Sequence, residues 1–160
     1  MEITKTCCTS ILTRTSGYLR EVCSHSLNPY IGCGYGNSSC GEGCYVRFNQ
    51  WLLRGRKWGD FVDVKINADK VYYKTAQAER HWAARRGIPF SIFFSSSTDP
   101  WQPVERKFRV THRILNAMLE KVPDILILQT HSSMILEDME CIVALDRLCD
   151  LRVHLSIEGD

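Results

Sequence analysis

Hydrophobic and polar positions change their period several times along the chain, and the changes mark out elements. PFSIFFSSS (89–97) and ILILQT (125–130) are short runs that are apolar nearly throughout, the pattern of strands buried on both faces. LRVHLSI (151–157), GDFVDVKIN (59–67) and SHSLNPY (24–30) read as further short strands. Between them the period lengthens. ADKVYYKTAQAERHWAARRG (68–87) reads as a helix that ends at Gly87, with basic residues in its last turn as the helix dipole prefers. Val104, Phe108, Thr111, Leu115 and Met118 recur at helical spacing after Pro103, a residue suited to a first helical position. Pro123 and Asp124 break that helix. Ser132 or Ser133 caps a third helix, striped by Ile135, Met139 and Ile142.

The order is strand, glycine-rich loop, helix, strand, helix, strand, helix, strand. Such alternation predicts an α/β protein with a parallel sheet covered by helices, either curled toward a barrel or open. Ligands of such sheets sit at the C-terminal strand ends. Here those ends carry Ser95, Ser96, Ser97, Thr98 and Asp99, then Gln129, Thr130, His131 and Ser132, then Ser156, Glu158 and Asp160. Polar residues after strands are also ordinary turn formers and caps. Their clustering on one rim is what carries weight.

The chain has 160 residues, the size of one domain, and a net charge of +2, which excludes binding of nucleic acid by bulk charge alone. No apolar run reaches membrane-spanning length, and the N-terminus MEITKTCCTS lacks the core of an export signal, so a cytoplasmic protein is expected. Cysteine changes the picture. There are eight, and without an export signal they point to metal or redox chemistry rather than disulfides.

Cys33, Cys40 and Cys44 lie in IGCGYGNSSCGEGCY (31–45), a loop with five glycines at 32, 34, 36, 41 and 43. So many glycines preclude a stable helix or packed strand, and they let the loop fold back so that three thiols reach one centre. The spacing is C-x6-C-x3-C, without the C-x2-C pair usual in structural zinc sites. It leaves three readings open: an iron–sulfur centre, a zinc site with His25 as fourth ligand, or unrelated thiols. Cys141 and Cys149 fall in a helical pattern and read as small buried hydrophobes. Cys7 and Cys8 are adjacent, a poor arrangement for one metal. Arg54, Arg56 and Lys57 beside Trp51 and Trp58 form a small basic and aromatic group that could stack on and neutralise a nucleic acid, or be a solvated turn.

Several of these segments, in order, resemble one family. SLNPYIGC, CGEGCYVRFNQW, WGDFVDVKINA, SSSTDPWQPVERKFRVTHRIL, LILQTHSSMILEDMECI and VHLSIEGD together resemble the radical S-adenosylmethionine superfamily in its spore photoproduct lyase-like branch, over about residues 11–160. The resemblance implies a partial (β/α) barrel, incomplete at the C-terminus, with an N-terminal extension over 1–23 and the core over 24–160. It implies that Cys33, Cys40 and Cys44 hold three irons of a [4Fe–4S] cluster, with S-adenosylmethionine on the fourth. Tyr45 matches a position beside the adenine, and Ser96 and Ser97 match the position meeting the methionine amino group. His131 stands where related chains often carry a basic residue near the carboxylate, and Ser156 matches a ribose- or carboxylate-contacting position.

The chemistry so implied is one-electron cleavage of S-adenosylmethionine to methionine and a 5′-deoxyadenosyl radical, which abstracts hydrogen from a substrate. It further implies a flavodoxin- or ferredoxin-like electron donor, and a further segment or partner chain that completes the barrel beyond residue 160. The substrate is open; the namesake of the branch repairs DNA, which keeps nucleic acid in view. The alternatives are an iron–sulfur electron-transfer or regulatory protein and a zinc-stabilised binding module. The loop departs from the C-x3-C-x2-C spacing common in the superfamily, by three more residues in the first interval and one more in the second.

Overall fold

The structure is a computed structural model in which residues 1–38, 40 and 43–157 are described. Ser39, Gly41, Glu158 and Asp160, named above, lie outside the described residues. The described residues form eight strands in two sheets and five α-helices. The strands are β1 (Glu2–Thr6), β2 (Leu12–Arg14), β3 (His25–Leu27), β4 (Tyr30–Ile31), β5 (Phe61–Lys65), β6 (Ser91–Phe94), β7 (Ile125–Thr130) and β8 (Asp150–Leu155). The α-helices are α1 (Gln50–Leu53), α2 (Ala68–Ala84), α3 (Glu105–Phe108), α4 (Val110–Glu120) and α5 (Met139–Asp146). None is long and apolar enough to cross a membrane.

The larger sheet has the order β2-β3-β6-β7-β8. Its last four strands are parallel, and β2 closes one edge antiparallel to β3. Alternation within β6 and β7 divides their side chains between two layers. Ile92, Phe94, Leu126 and Leu128 enter the main core with α2, α4 and α5. Phe93 and Ile127 face the other way and pack with Cys23. A strand buried on both faces is apolar over most of its length, which makes these runs legible in the sequence. Gln129 continues the Ile127 face, so that face turns polar at the C-terminal end.

The smaller sheet has the order β1-β5-β4. The segment 59–67 is a strand, but it pairs in parallel with the N-terminal β1 rather than joining the main sheet. The stretch 24–30 serves both sheets: β3 pairs with β6, and after Asn28 and Pro29 the chain crosses over and β4 pairs with β5. Residues 2–6 and 12–14 each hydrogen-bond into a sheet, so much of the N-terminal segment is strand.

Two helices differ from their expected form. The helix after Pro103 is broken at Arg109, whose φ is 50°. The carboxylate of Glu105 accepts from Thr111 N and His112 N, both at 3.1 Å, and so caps α4 from the preceding turn. Tyr30 donates its hydroxyl to the same carboxylate, which is fully buried. The stripe Ile135, Met139, Ile142 breaks as well. Residues Ser133–Asp138 form a 3-10 helix, and Met139 is turned out to solvent while Ile135 and Ile142 stay buried. A helix of three residues per turn cannot hold a spacing of four on one face.

His25 is not free to bind a metal, which corrects its candidacy as a zinc ligand. It is fully buried, with Nδ1 2.8 Å from Ser24 Oγ and Nε2 2.9 Å from Glu79 Oε2. The rings of Trp82 and Phe90 meet it edge-on, each centroid 5.3 Å away. Burial pushes the imidazole pKa below its ordinary value, outweighing the opposite pull of Glu79. The folded protein therefore holds this proton less tightly than the unfolded chain. The contribution of a neutral His25 to stability is complete above about pH 6.5 and is lost as pH falls below it. Urea midpoints measured from pH 7.5 down to 5.5 are expected to drop, and the drop should be smaller in His25→Gln.

Candidate functional site

Cys33, Cys40 and Cys44 line one cavity of about 110 Å³. Tyr45, Ser95, Ser96, Ser97, Asp99 and His131 line it too. The loop and the C-terminal ends of β6 and β7 thus meet at one rim, as in other parallel sheets. A larger hollow of about 730 Å³ lies by the opposite ends of β6 and β7 and is lined by none of the predicted site residues.

Glycine makes the close approach of the loop feasible. Gly32 has φ 82°, and a Cβ there would collide with the Phe61 carbonyl oxygen; at Gly36 it would collide with the Gly59 backbone. Gln102, fully buried, then clamps the loop on both sides of Cys33. Its Oε1 accepts from Gly34 N at 2.8 Å and its Nε2 donates to Gly32 O at 3.4 Å. Tyr35 OH donates to Ser132 Oγ at 3.2 Å, tying the loop to the end of β7. Past Cys44, Asn49 caps α1 by accepting from Trp51 N and Leu52 N.

Asp99 organises the strand ends. Its carboxylate accepts from Trp101 N at 2.8 Å, from Thr130 Oγ1 at 2.8 and 3.0 Å, and from His131 N at 2.7 Å. The backbone that carries His131 is therefore fixed from β6, while the His131 ring stands 3.9 Å (Nε2) from Cys40 Sγ. Asn28 orders the serines: it accepts from Ser97 N at 3.0 Å and Ser97 Oγ at 2.9 Å, and donates to Ser96 Oγ at 3.3 Å. Tyr45 OH donates to Ser96 O at 2.6 Å.

Cys33 is buried, and burial pushes its thiol up to about 11, so a metal there must displace a proton. Among the described residues, three buried side-chain polar atoms lack a hydrogen-bond partner: Trp58 Nε1, Asp69 Oδ1 and Ser95 Oγ. Trp58 and Ser95 both line this cavity. Ser95 also has φ 69°, a strained backbone for a residue with a side chain. Unsatisfied donors and local strain at one place are features of a site shaped for something else to bind.

Tyr45, Ser96, Ser97 and His131 are brought to the cavity with the three cysteines. Ser156 is not: it follows β8, its amide donates to Thr130 O at 3.0 Å, and its side chain is not among those lining the cavity. The sequence does not single out Tyr35 or Gln102, and it places Trp58 with the basic group at 51–58 rather than with the cysteines. The glycines around Cys33 were a signal that something packs tightly there, but Gln102 is far away in sequence. Among the described residues, no three or more His, Cys, Asp or Glu are arranged to hold a single metal ion. A four-iron cluster makes a different demand, since each cysteine binds its own iron and the sulfurs need not converge on one point.

The remaining cysteines sit elsewhere. Cys23 and Cys141 are buried in apolar clusters, and Cys149 Sγ donates to Leu145 O at 3.3 Å. The backbone of Cys8 pairs with Asn67. The basic and aromatic group at 51–58 does not form one surface. Arg56 makes two bonds to Asp63, at 2.8 and 2.7 Å, and lies over the Phe61 ring. Trp58 is buried, whereas Trp51 is 91% exposed.

No known family profile and no solved structure matches the chain. Among curated proteins, it is 34% identical over 115 residues to an uncharacterized protein of Methanocaldococcus jannaschii. The match covers 71% of this chain and 38% of that relative, so the aligned part spans well under half of the relative's length.

Proposed function

We propose that the chain is the cofactor-binding part of a radical S-adenosylmethionine enzyme. The observation that carries the reading is the shared cavity: three loop cysteines open onto the same space as Ser95, Ser96, Ser97 and His131. The donor set fits a [4Fe–4S] cluster, with three thiols where four would close the coordination sphere. Two buried donors in the cavity also lack acceptors. When bound, such a cluster would supply the electron that cleaves S-adenosylmethionine to a 5′-deoxyadenosyl radical.

The protein's part is holding and orienting. Cys33, Cys40 and Cys44 are the ligands, with Gln102 keeping the Cys33 turn in place. Ser95, Ser96 and Ser97 offer hydroxyls to the polar end of the methionine moiety, with Asn28 fixing Ser97. Tyr45, held by its bond to Ser96, would meet the adenine of a bound cofactor. His131, whose backbone is held by Asp99, would serve the cofactor's carboxylate. The parallel strands β3, β6, β7 and β8 are read as the first part of a partial barrel, and a flavodoxin- or ferredoxin-like donor as the source of electrons.

One observation favours a second reading. Cys40 Sγ and His131 Nε2 stand 3.9 Å apart, a cysteine–histidine pair of the kind zinc binds, although the described residues do not gather three such ligands about one point. Anaerobic reconstitution with iron and sulfide, then addition of dithionite and S-adenosylmethionine, separates the two. The proposed function predicts a brown protein that releases 5′-deoxyadenosine. A colourless protein with one tightly held zinc and no nucleoside released overturns it.

A further inference from the structure

We infer that the indole N–H of Trp58 donates a hydrogen bond to a sulfur of the iron–sulfur centre held by Cys33, Cys40 and Cys44, and so sets how easily that centre is reduced. The inference rests on the cluster reading above. Trp58 is 6% exposed, and its Nε1 is among the buried polar atoms without a partner. A buried indole N–H usually finds an acceptor, because leaving one unmet forfeits the bond it made to water. The ring packs in the same apolar cluster as Cys33, with Cys44 against it, and it lines the cavity. Its Cδ1 lies so near Gly36 that a Cβ there would stand 3.0 Å from it, so the cysteine loop and the indole are fitted closely to each other.

Phenylalanine would fill much of this space without the orphan donor. The N–H has no acceptor within the protein, the ring that carries it lines the cavity, and thiolate and sulfide sulfurs placed there are acceptors. Hydrogen bonds to cluster sulfurs are one of the protein's levers on reduction potential. Such a bond strengthens as negative charge grows, so it favours the reduced form. Trp58 is thus a positioning and tuning residue, distinct from the ligands themselves.

The test compares reconstituted wild type with Trp58→Phe, and with a variant carrying benzothienylalanine at 58, which keeps the ring shape and replaces N–H by sulfur. Iron content is measured first, and the potential by EPR-monitored redox titration without S-adenosylmethionine. The expected result is unchanged iron and a potential more negative by roughly a tenfold shift in the reduction equilibrium, about 59 mV for one electron. Wild type that takes up no iron removes the cluster reading and this inference with it. Wild type that takes up iron, with an unchanged potential in the benzothienylalanine variant, overturns this inference alone. Loss of iron in both variants also overturns it, because Trp58 is then needed for the fold of the loop.

Discussion

Anaerobically reconstituted Cys40→Ala is expected to leave a desalting column colourless and without iron, where wild type retains about four irons per chain. Cys40 stands between Cys33, fixed by the Gln102 clamp, and Cys44 at the start of a 3-10 helix. With Cys40 removed, two thiolates remain for a cluster that three hold. His131, at 3.9 Å from Cys40 Sγ, offers a neutral nitrogen where the cluster is held by anionic sulfur, and is a weaker ligand for it. Cys141→Ala is the matching control. Cys141 is buried on α5 and does not line the cavity, so its loss should leave iron content unchanged. Full iron in Cys40→Ala, or loss of iron in Cys141→Ala, would mean that the ligands have been assigned to the wrong cysteines.

The second large effect is on stability. Asp99→Ala should lower the free energy of unfolding by roughly 3 kcal/mol or more, because removing a buried acceptor strands its donors at about 1–3 kcal/mol each. Asp99 is 7% exposed and accepts from Trp101 N, Thr130 Oγ1 and His131 N. It joins the loop after β6 to the end of β7, the two segments that bring the serines and His131 to the rim. Urea denaturation of the iron-free protein measures the effect without involving the cluster. A loss below about 1 kcal/mol, the worth of a single ordinary hydrogen bond, would show that these contacts do not hold the rim together.

The parts of the fold visible in the sequence were those in which one physical demand acts alone. β6 and β7 are buried on both faces over most of their length, which favours the apolar runs IFF and ILIL, and ILILQT matches β7 residue for residue. α2 begins at Ala68, one residue after Asn67, and ends near Gly87, whose φ of 65° suits a helix exit. Elements shaped by distant partners were hidden. β1 reads as a polar N-terminus because its pairing with β5 is made through backbone groups, which leave no side-chain pattern. The break at Arg109 depends on where the Glu105 carboxylate points, and no periodicity encodes that.

The candidate site divides in the same way. Three cysteines among glycines announce a ligand set, and serines after a strand announce a rim. The sequence places Asp99 on the rim and Trp58 beside a basic group, and it says nothing of Gln102. Their roles come from burial and from partners far away in sequence, such as Gln102 reaching Gly34 and Asp99 reaching His131. Conversely, Arg56 looked like part of a basic surface until its pairing with Asp63 was seen.

Three loop thiolates that hold a four-iron cluster leave one iron for the cofactor, and that iron differs from the other three. Mössbauer spectroscopy of protein reconstituted with iron-57 tests this most directly. Iron sites in a three-to-one ratio are expected, with the single site alone changing when S-adenosylmethionine is added. Four equivalent irons indifferent to S-adenosylmethionine, or a chain that binds zinc and takes up no iron, would contradict it.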